Sequence, residues 1–249
     1  MKVLRPLAVF LGLIGLWQAL VWLTGVEPFI LPGPLRVAVA LIERWPLLIG
    51  HAAVTVAEIL LGLALGAALG AASALLLGHV RPARQWLMPV LVVSQAIPVF
   101  ALAPILVLWL GYGMASKVAM ATLIIYFPVT AAFFDGLRRA DPAWLDLART
   151  MDATRLSQLC HVRIPAALPA LTSGLRVATA VAPIGAIVGE WVGSSAGLGY
   201  LMLHANARMQ VDLMFAALFV LAAFAVTLYF AVDAGLRRAV FWQADDAVE

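Results

Sequence analysis

The strongest constraint in this sequence is a set of long, almost uncharged apolar stretches. A helix that crosses a bilayer needs about 20 consecutive, mostly apolar residues. Among the 249 residues, 64% are hydrophobic and 12% are charged, whereas about a quarter are charged in an ordinary soluble domain. The sequence therefore predicts an all-α membrane protein, with one transmembrane domain over residues 1–249. The expected six transmembrane helices cover residues 6–25, 52–78, 87–110, 118–137, 168–190 and 213–234.

The basic residues are distributed unequally between the two sides of such a protein. If the N-terminus lies inside, the inner segments contain 11 Lys and Arg residues and the outer segments contain 4. Cytoplasmic loops carry the excess of positive charge, so both termini are expected in the cytoplasm. The first apolar stretch is longer than the core of a signal peptide, and no small-x-small cleavage site follows it, so we expect it to be retained.

Metal, disulfide and ATP chemistry are not expected in this chain. Cys160 is the single cysteine, and the four histidines are too scattered for a metal-ligand motif. The only lysines are Lys2 and Lys117, and neither belongs to a glycine-rich phosphate-binding loop. We therefore predict no cofactor and no metal. The basic excess is explained by the membrane, so we predict no nucleic-acid partner.

One short motif imitates a hydrolase. Residues 193–197 read Gly-Ser-Ser-Ala-Gly, which satisfies the G-x-S-x-G pattern of a nucleophilic serine. That pattern requires a strand before the serine and an acid and then a histidine later in the chain. Here an apolar helix precedes Ser195, and His204 follows after only nine residues. We predict no catalytic residue, and we do not expect an enzyme.

The longest inner connection, residues 141–165, is polar and predicts two short helices. Asp141 and Pro142 are typical of a helix start. Asp152 lies at the expected turn, where Asp tolerates a left-handed backbone, and Pro165 is expected to end the second helix. The apolar residues of the first helix recur every three or four positions: Trp144, Leu147, Ala148 and Met151. The segment either docks on another chain or lies on the lipid headgroups.

The same segment resembles the EAA loop of ABC transporter permeases. That loop reads Glu-Ala-Ala, three residues, Gly, nine residues, then Ile-x-Leu-Pro. Here Asp146, Leu147 and Ala148 occupy the first positions, Asp152 replaces the glycine, and residues 162–165 close the pattern. The resemblance covers nearly the whole chain and is closest to nitrate, sulfonate and taurine importers. It is also carried by the runs FILPGPLRVAVALIE, ALAPILVLWLGYGMASK and GEWVGSSAGLGYLM.

The resemblance implies a complete importer around this chain. It implies an ABC ATPase subunit that holds ATP and Mg, a periplasmic or lipid-anchored substrate-binding protein, and a second copy of this chain as a homodimer in the bacterial inner membrane. The small-molecule substrate would cross by alternating access. The implied ATPase-coupling residues are Asp146, Leu147, Ala148, Asp152, Val162, Ile164 and Pro165. The shorter carboxylate arm at Asp146 and the added charge at Asp152 depart from the family pattern.

Prolines and glycines suggest where substrate passes. Irregular backbone at membrane depth is tolerated only where it is buried in protein or lines a cavity. The third and fifth stretches contain most of these residues, although prolines are also common in membrane helices generally. The candidate pathway residues are Ser94, Gln95, Pro98, Thr130, Pro183, Glu190 and Trp191.

Four ionisable residues lie within or beside the apolar stretches: Glu58, Arg176, Glu190 and Asp233. Such residues indicate function by default, but each lies near a span end, where the interface can hydrate it. Arg176 is expected to pair with a backbone carbonyl or a headgroup. Glycines at 62, 66 and 70 predict close helix packing inside the chain. Residues 32–46 predict an amphipathic outer helix that docks the binding protein or packs at the interface.

The substrate is suggested only by resemblance and by one residue pair. Residues 182–219 resemble permeases for thiamin pyrimidine precursors such as hydroxymethylpyrimidine, and a planar heterocycle suits the aromatic ring of Trp191 beside Glu190. Aliphatic sulfonate, taurine, nitrate and riboflavin remain alternatives within the importer class. An alternative of another class is a proton-coupled secondary transporter that uses Glu58 and Glu190.

Overall fold

The computed structural model describes residues 4–94 and 97–242, and the described part consists of helices and short connections, without a strand. The all-α prediction is therefore confirmed. The helices are α1 (Leu4–Thr24), α2 (Pro34–Glu43), α3 (Trp45–His79), α4 (Arg81–Ser94), α5 (Val99–Leu110), α6 (Met114–Arg138), α7 (Pro142–Thr150), α8 (Arg155–Gln158), α9 (Ile164–Gly193), α10 (Leu198–Ala207) and α11 (Val211–Ala239). A π-helical turn, Leu159–Arg163, joins α8 to α9.

Four of the described helices are long and apolar enough to cross a membrane, and a bent pair would make a fifth span. The four are α3, α6, the continuous helical run Arg155–Gly193 that ends with α9, and α11. They contain the predicted stretches 52–78, 118–137, 168–190 and 213–234. In α1, the apolar part among the described residues is the shorter range Leu11–Thr24. The count of six spans remains a prediction.

The predicted span over residues 87–110 is broken into two helices. The chain forms α4 and α5 there, and their axes are bent by 101°. Pro98 is the residue before α5, in an extended conformation. Because proline lacks an N–H group and cannot continue the hydrogen-bonding of a helix, it marks the start of a new helix at this point.

The chain divides into two compact units. The first contains the residues up to 55 and residues 195–223. Within it, the Trp17 ring stacks on Phe215 and Phe219, with ring centroids 5.8 and 5.9 Å apart. The start of α10 is held by α3, because His51 Nδ1 accepts the N–H of Gly197 at 3.0 Å and Thr55 Oγ1 accepts that of Leu198 at 2.7 Å.

The predicted outer helix over residues 32–46 is α2, in the same unit. It begins at Pro34, as expected for a proline at a helix start. Val37 and Ala40 face the protein and are buried. Leu35 and Ile42, also in α2, are 75% and 77% exposed. Trp45, which lies within the predicted range, begins α3 instead.

The second unit contains residues 56–194 and residues from 224 onward. Its α3 packs on α6 through the predicted glycine ridge. A Cβ at Gly62 would collide with the Ala121 side chain, and a Cβ at Gly66 would lie 2.6 Å from Ile125 Cγ2. The next turn repeats the contact, because a Cβ at Gly70 would lie 2.9 Å from a carbon of Val129. The ridge packs inside this chain, as predicted.

The second unit contains a buried hydrophobic cluster. It joins α3, α6, α9 and the π-helical turn, and it consists of Ala74, Leu77, Phe133, Phe134, Leu137, Leu159 and Ala167. Leu159 belongs to the connection that the sequence predicts as polar, yet it is only 7% exposed. This leucine anchors the connecting segment in the core of the unit.

Candidate functional site

The connection between α6 and α9 forms a folded knob, defined here as residues 141–165. Its first helix begins as predicted, because Asp141 Oδ1 accepts the N–H of Ala143 at 2.8 Å and Pro142 takes the first helical position. Such a cap satisfies a donor that the first turn would otherwise leave without a partner. The helix is α7 and it ends at Thr150.

The turn after α7 has the predicted left-handed residue. Asp152 has a φ of 56°, and the N–H of Ala153 reaches back to the carbonyl of Ala148 at 3.0 Å. The chain then restarts as α8, with Thr154 Oγ1 accepting the N–H of Ser157 at 3.2 Å. Gln158 Nε2 donates to the carbonyl of Ala153 at 2.9 Å. These bonds fix the two helices of the knob relative to each other.

The predicted helix end at Pro165 is wrong. The π-helical turn runs directly into α9, which begins at Ile164, so Pro165 lies in the first turn of the long helix. No loop therefore separates the knob from α9.

The knob presents an apolar surface to its surroundings. Trp144, Leu147 and Met151 are 55%, 61% and 74% exposed, although they lie on one face of α7. They border an open cavity of about 740 Å³ whose wall also contains residues of α9 and Trp242. Exposed aromatic and aliphatic side chains in a concave surface are typical of a protein-binding site.

The structure brings four of the seven predicted coupling residues together in the wall of that cavity: Leu147, Ala148, Val162 and Pro165. Asp146 lies on the exposed side of α7 and pairs with Arg149 Nη1 at 2.7 Å. Ile164 instead packs against the buried cluster of the second unit. The predicted coupling residues therefore occupy different environments. Four line the cavity, Asp146 is exposed, Asp152 lies in the turn, and Ile164 packs against the buried cluster.

The predicted pathway residues differ in their exposure. Thr130, Pro183 and Glu190 are buried, and Thr130 donates to the carbonyl of Tyr126 at 2.7 Å. Trp191 is half exposed, and Ser94 and Pro98 lie at the break between α4 and α5. Gln95 is outside the described residues.

A buried charged cluster occupies the second unit, formed by Glu58 of α3, Lys117 of α6 and Glu190 of α9. Their exposed fractions are 0%, 4% and 1%, so the expectation that an interface hydrates Glu58 and Glu190 is wrong. The carboxyl groups of Glu58 and Glu190 interact with each other, and the Lys117 ammonium attracts the carboxyl group of Glu58. Lys117 Nζ also donates to the carbonyls of Tyr112 and Gly113, at 2.8 and 3.0 Å.

Sequence reasoning missed the role of Lys117, which it placed among the outer residues. The available signal was a lysine in the first turn of an apolar helix, while two other apolar stretches each contain a glutamate. A buried pairing between them was therefore possible. Arg176 also differs from expectation. It pairs with the carboxylate of Asp233, with Nε 2.6 Å from Oδ1, rather than with a backbone carbonyl or a headgroup.

The serine motif has no hydrolase geometry around it. The helix α9 ends at Gly193 and α10 begins at Leu198, so a helix and not a strand precedes Ser195. His204 follows within α10, where its Nδ1 lies 3.0 Å from the carbonyl oxygen of Tyr200.

Comparison with known proteins identifies the family of this chain. Residues 59–240 match the family described as "Binding-protein-dependent transport system inner membrane component". A probable ABC transporter permease protein of Haemophilus influenzae is 56% identical over 240 residues, which cover 96% of this chain and 98% of the relative. The formylaminopyrimidine transport permease protein ThiX of Halalkalibacterium halodurans is 38% identical, with 88% of each chain covered.

A solved structure has the same fold. The methionine ABC transporter MetNI in an inward-facing conformation matches with a TM-score of 0.68 and 20% identity, covering 80% of this chain and 98% of that one. The relatives are named as transport subunits and not as enzymes. The chain therefore belongs to the family of binding-protein-dependent transport system inner membrane components, and it is the multi-pass permease subunit of an ABC importer.

Proposed function

We propose that this permease imports a thiamin pyrimidine precursor, a hydroxymethylpyrimidine-like solute, as a homodimer with two ATPase subunits and a substrate-binding protein. The proposal places both termini and the knob in the cytoplasm, in agreement with the 11 to 4 distribution of Lys and Arg. A relative that is 38% identical is named for formylaminopyrimidine transport. A homodimer is proposed because the chain provides one transmembrane half of such an importer.

One observation carries the coupling role: the exposed apolar face of α7. Trp144, Leu147 and Met151 together would be costly in water, and a partner surface would cover them. We expect the ATPase subunit to occupy the neighbouring cavity of about 740 Å³. When ATP closes the two ATPase subunits, the knob moves and pulls on α9, because no loop separates the two. Rigid-body movement of the spans then alternates access.

The binding protein is expected to dock on the first unit. The exposed side of α2, with Leu35 and Ile42, offers an apolar surface there. A cavity of about 310 Å³ lies in the same unit, with Arg36 and Asp212 in its wall. Side chains of opposite charge in one recess suit a polar protein interface.

The test of coupling uses this chain co-expressed with its ATPase in liposomes. ATP hydrolysis is measured with and without binding protein loaded with hydroxymethylpyrimidine, for the wild type, Asp146→Arg and the matched control Asp146→Glu. We expect Asp146→Arg to reduce the stimulation at least tenfold and Asp146→Glu to retain it, because only the first reverses the charge on the exposed side of α7, next to its apolar face. Equal stimulation in all three proteins would contradict docking through α7.

The same liposomes test the substrate. ATP hydrolysis could instead be stimulated by binding protein loaded with sulfonate, taurine, nitrate or riboflavin, and not with the pyrimidine. That result would support the importer and show that the proposed substrate is wrong. Uptake that follows a proton gradient without an associated ATPase would instead support the secondary transporter. In that case, Glu58→Gln should abolish uptake, whereas the ABC importer requires only the structural contribution of Glu58.

A further inference from the structure

A second cavity on the knob side of the second unit is lined mainly by basic and polar side chains. It measures about 540 Å³, and we name it the arginine cavity. Its wall combines the end of α3, the start of α4 and the second half of the knob. Its charged and basic residues are His79, Arg84, Arg149, Arg155 and Arg163. Among the described residues, no Asp or Glu lines it.

The positive charge of this cavity is only partly compensated. Arg149 pairs with Asp146, with Nη1 2.7 Å from Oδ1. No ion pair within the described part of the chain involves Arg84, Arg155 or Arg163. Guanidinium groups converging on one cavity repel one another, and an anion between them removes that repulsion. The planar fork of each guanidinium matches the oxygens of a phosphate group.

An apolar groove adjoins the arginine cavity and shares Arg84 and Gln85 with it. The groove measures about 610 Å³ and continues along α4. Its apolar wall consists of Met88, Pro89, Val92, Val93 and Phe134. Arg138 lies over the Phe134 ring, with the guanidinium carbon 5.6 Å from the ring centroid, and it adds positive charge at the groove.

A basic cavity that opens into an apolar groove has the polarity of an amphiphile with an anionic head. We propose that the arginine cavity and this groove bind an anionic phospholipid, with its phosphate among the arginines and an acyl chain along α4. The proposal rests on the proposed function for its orientation, which places the cavity at the cytoplasmic leaflet, where anionic lipids attract basic segments. A free phosphate compound would leave the groove empty, and a zwitterionic lipid would bring an ammonium group to a cavity lined by arginines.

The location gives the bound lipid a consequence for coupling. Arg155 and Arg163 belong to the knob, whereas Arg84 belongs to α4. A phosphate between them bridges the knob to a different helix of the second unit. The lipid would therefore stabilise the position from which the knob meets the ATPase.

The test uses native mass spectrometry of the permease co-purified with its ATPase. The probes are dioleoyl phosphatidylglycerol, dioleoyl phosphatidylcholine and sn-glycerol 3-phosphate. The variants are the double substitution Arg84→Gln with Arg163→Gln, the groove-filling Val92→Trp, and the control Arg238→Gln, which removes an exposed arginine outside both cavities. Lipid binding is read separately from the presence of the ATPase subunit.

We expect phosphatidylglycerol to bind the wild type more tightly than phosphatidylcholine does. Each arginine removed should weaken the binding of phosphatidylglycerol about fivefold, the factor that corresponds to about 1 kcal/mol. Val92→Trp should weaken phosphatidylglycerol but not glycerol 3-phosphate. Equal binding of glycerol 3-phosphate, with no effect of Val92→Trp, would assign the cavity to a free phosphate and overturn the lipid proposal. If Arg238→Gln lost as much phosphatidylglycerol binding as the double arginine variant, the binding would not depend on this site and the proposal would be overturned. If the ATPase does not co-purify, the proposed function fails, while lipid binding to the permease can still be measured.

Discussion

Arg176 on α9 and Asp233 on α11 form an ion pair, with Nε 2.6 Å from Oδ1. The second oxygen, Asp233 Oδ2, accepts the N–H of Arg237 Nε at 2.9 Å. The Asp233 side chain is 15% exposed and that of Arg176 is 27% exposed. Because an unpaired charge within a span is costly, the carboxylate allows two arginines to lie beside apolar helices. This ion pair lies within the second unit and connects α9 to α11.

Substitution of Asp233 should lower the melting temperature more than substitution of Arg237. Asp233→Asn leaves Arg176 without its carboxylate, whereas Arg237→Gln removes a 58% exposed partner that solvent already screens. Intrinsic fluorescence during thermal unfolding in detergent measures both, with the exposed Arg238→Gln as the reference. Equal melting temperatures for Asp233→Asn and Arg238→Gln would show that the bridge does not stabilise the fold.

Gly66→Ala should destabilise the second unit. Its new Cβ would lie 2.6 Å from Ile125 Cγ2 and 2.8 Å from Ile125 Cβ, and Ile125 is fully buried, so α3 and α6 must separate. Overpacking of this kind costs about 1–3 kcal/mol. Gly50→Ala on the same helix is the matched control, because nothing lies within 4 Å of its Cβ position. The difference in urea or thermal unfolding between the two variants measures the contact, and identical stabilities would contradict it.

The helical architecture was predictable because a bilayer leaves few ways to satisfy backbone polar groups. Length and apolarity identify α3, α6, α9 and α11 from the sequence. The same criterion does not reveal the break within residues 87–110, because a 101° bend between α4 and α5 leaves their summed hydropathy unchanged. It also fails at Pro165, because a π-helical turn lets the preceding helix lead directly into α9.

The candidate site was predictable in its sequence pattern and not in its tertiary contacts. Local rules identified the cap at Asp141 and the left-handed Asp152, because both depend on neighbouring backbone groups. Pairing between distant helices has no such local signal. Lys117 lies 59 residues after Glu58 and 73 before Glu190, and only the packing of α3, α6 and α9 brings the three together.

Thr55→Val should destabilise the first unit, whereas Thr55→Ser should not. Thr55 is fully buried, and its Oγ1 accepts the N–H of Leu198 at 2.7 Å at the start of α10. Gly197, the residue before that helix, has no side chain that could serve as a cap. Valine keeps the shape but leaves a buried donor without an acceptor, which costs about 1–3 kcal/mol. Thermal unfolding of the two variants makes the comparison, and a valine variant as stable as the serine variant would contradict the capping role.

Asp152→Gly should stabilise the turn of the knob. Asp152 has a φ of 56°, which glycine adopts without the Cβ penalty, so a gain on the order of 1 kcal/mol or less is expected. Asp152→Val should have the opposite effect, because a branched side chain is strained at this φ. Limited proteolysis of the knob reports its local stability. Faster cleavage in the glycine variant than in the wild type would show that the Asp152 side chain contributes more than its conformational cost.

Lys117→Met should destabilise the second unit strongly, and a second substitution should recover part of the loss. Lys117 is 4% exposed beside the fully buried Glu58, so its removal leaves two acidic groups without the ammonium that attracts them. Breaking a buried charge arrangement by removing one member costs about 3–5 kcal/mol. Adding Glu58→Gln removes one of the two acidic groups that face each other, so the double variant should be more stable than Lys117→Met alone. A double-mutant cycle on thermal unfolding measures this coupling, and strictly additive effects would show that Lys117 and Glu58 do not interact.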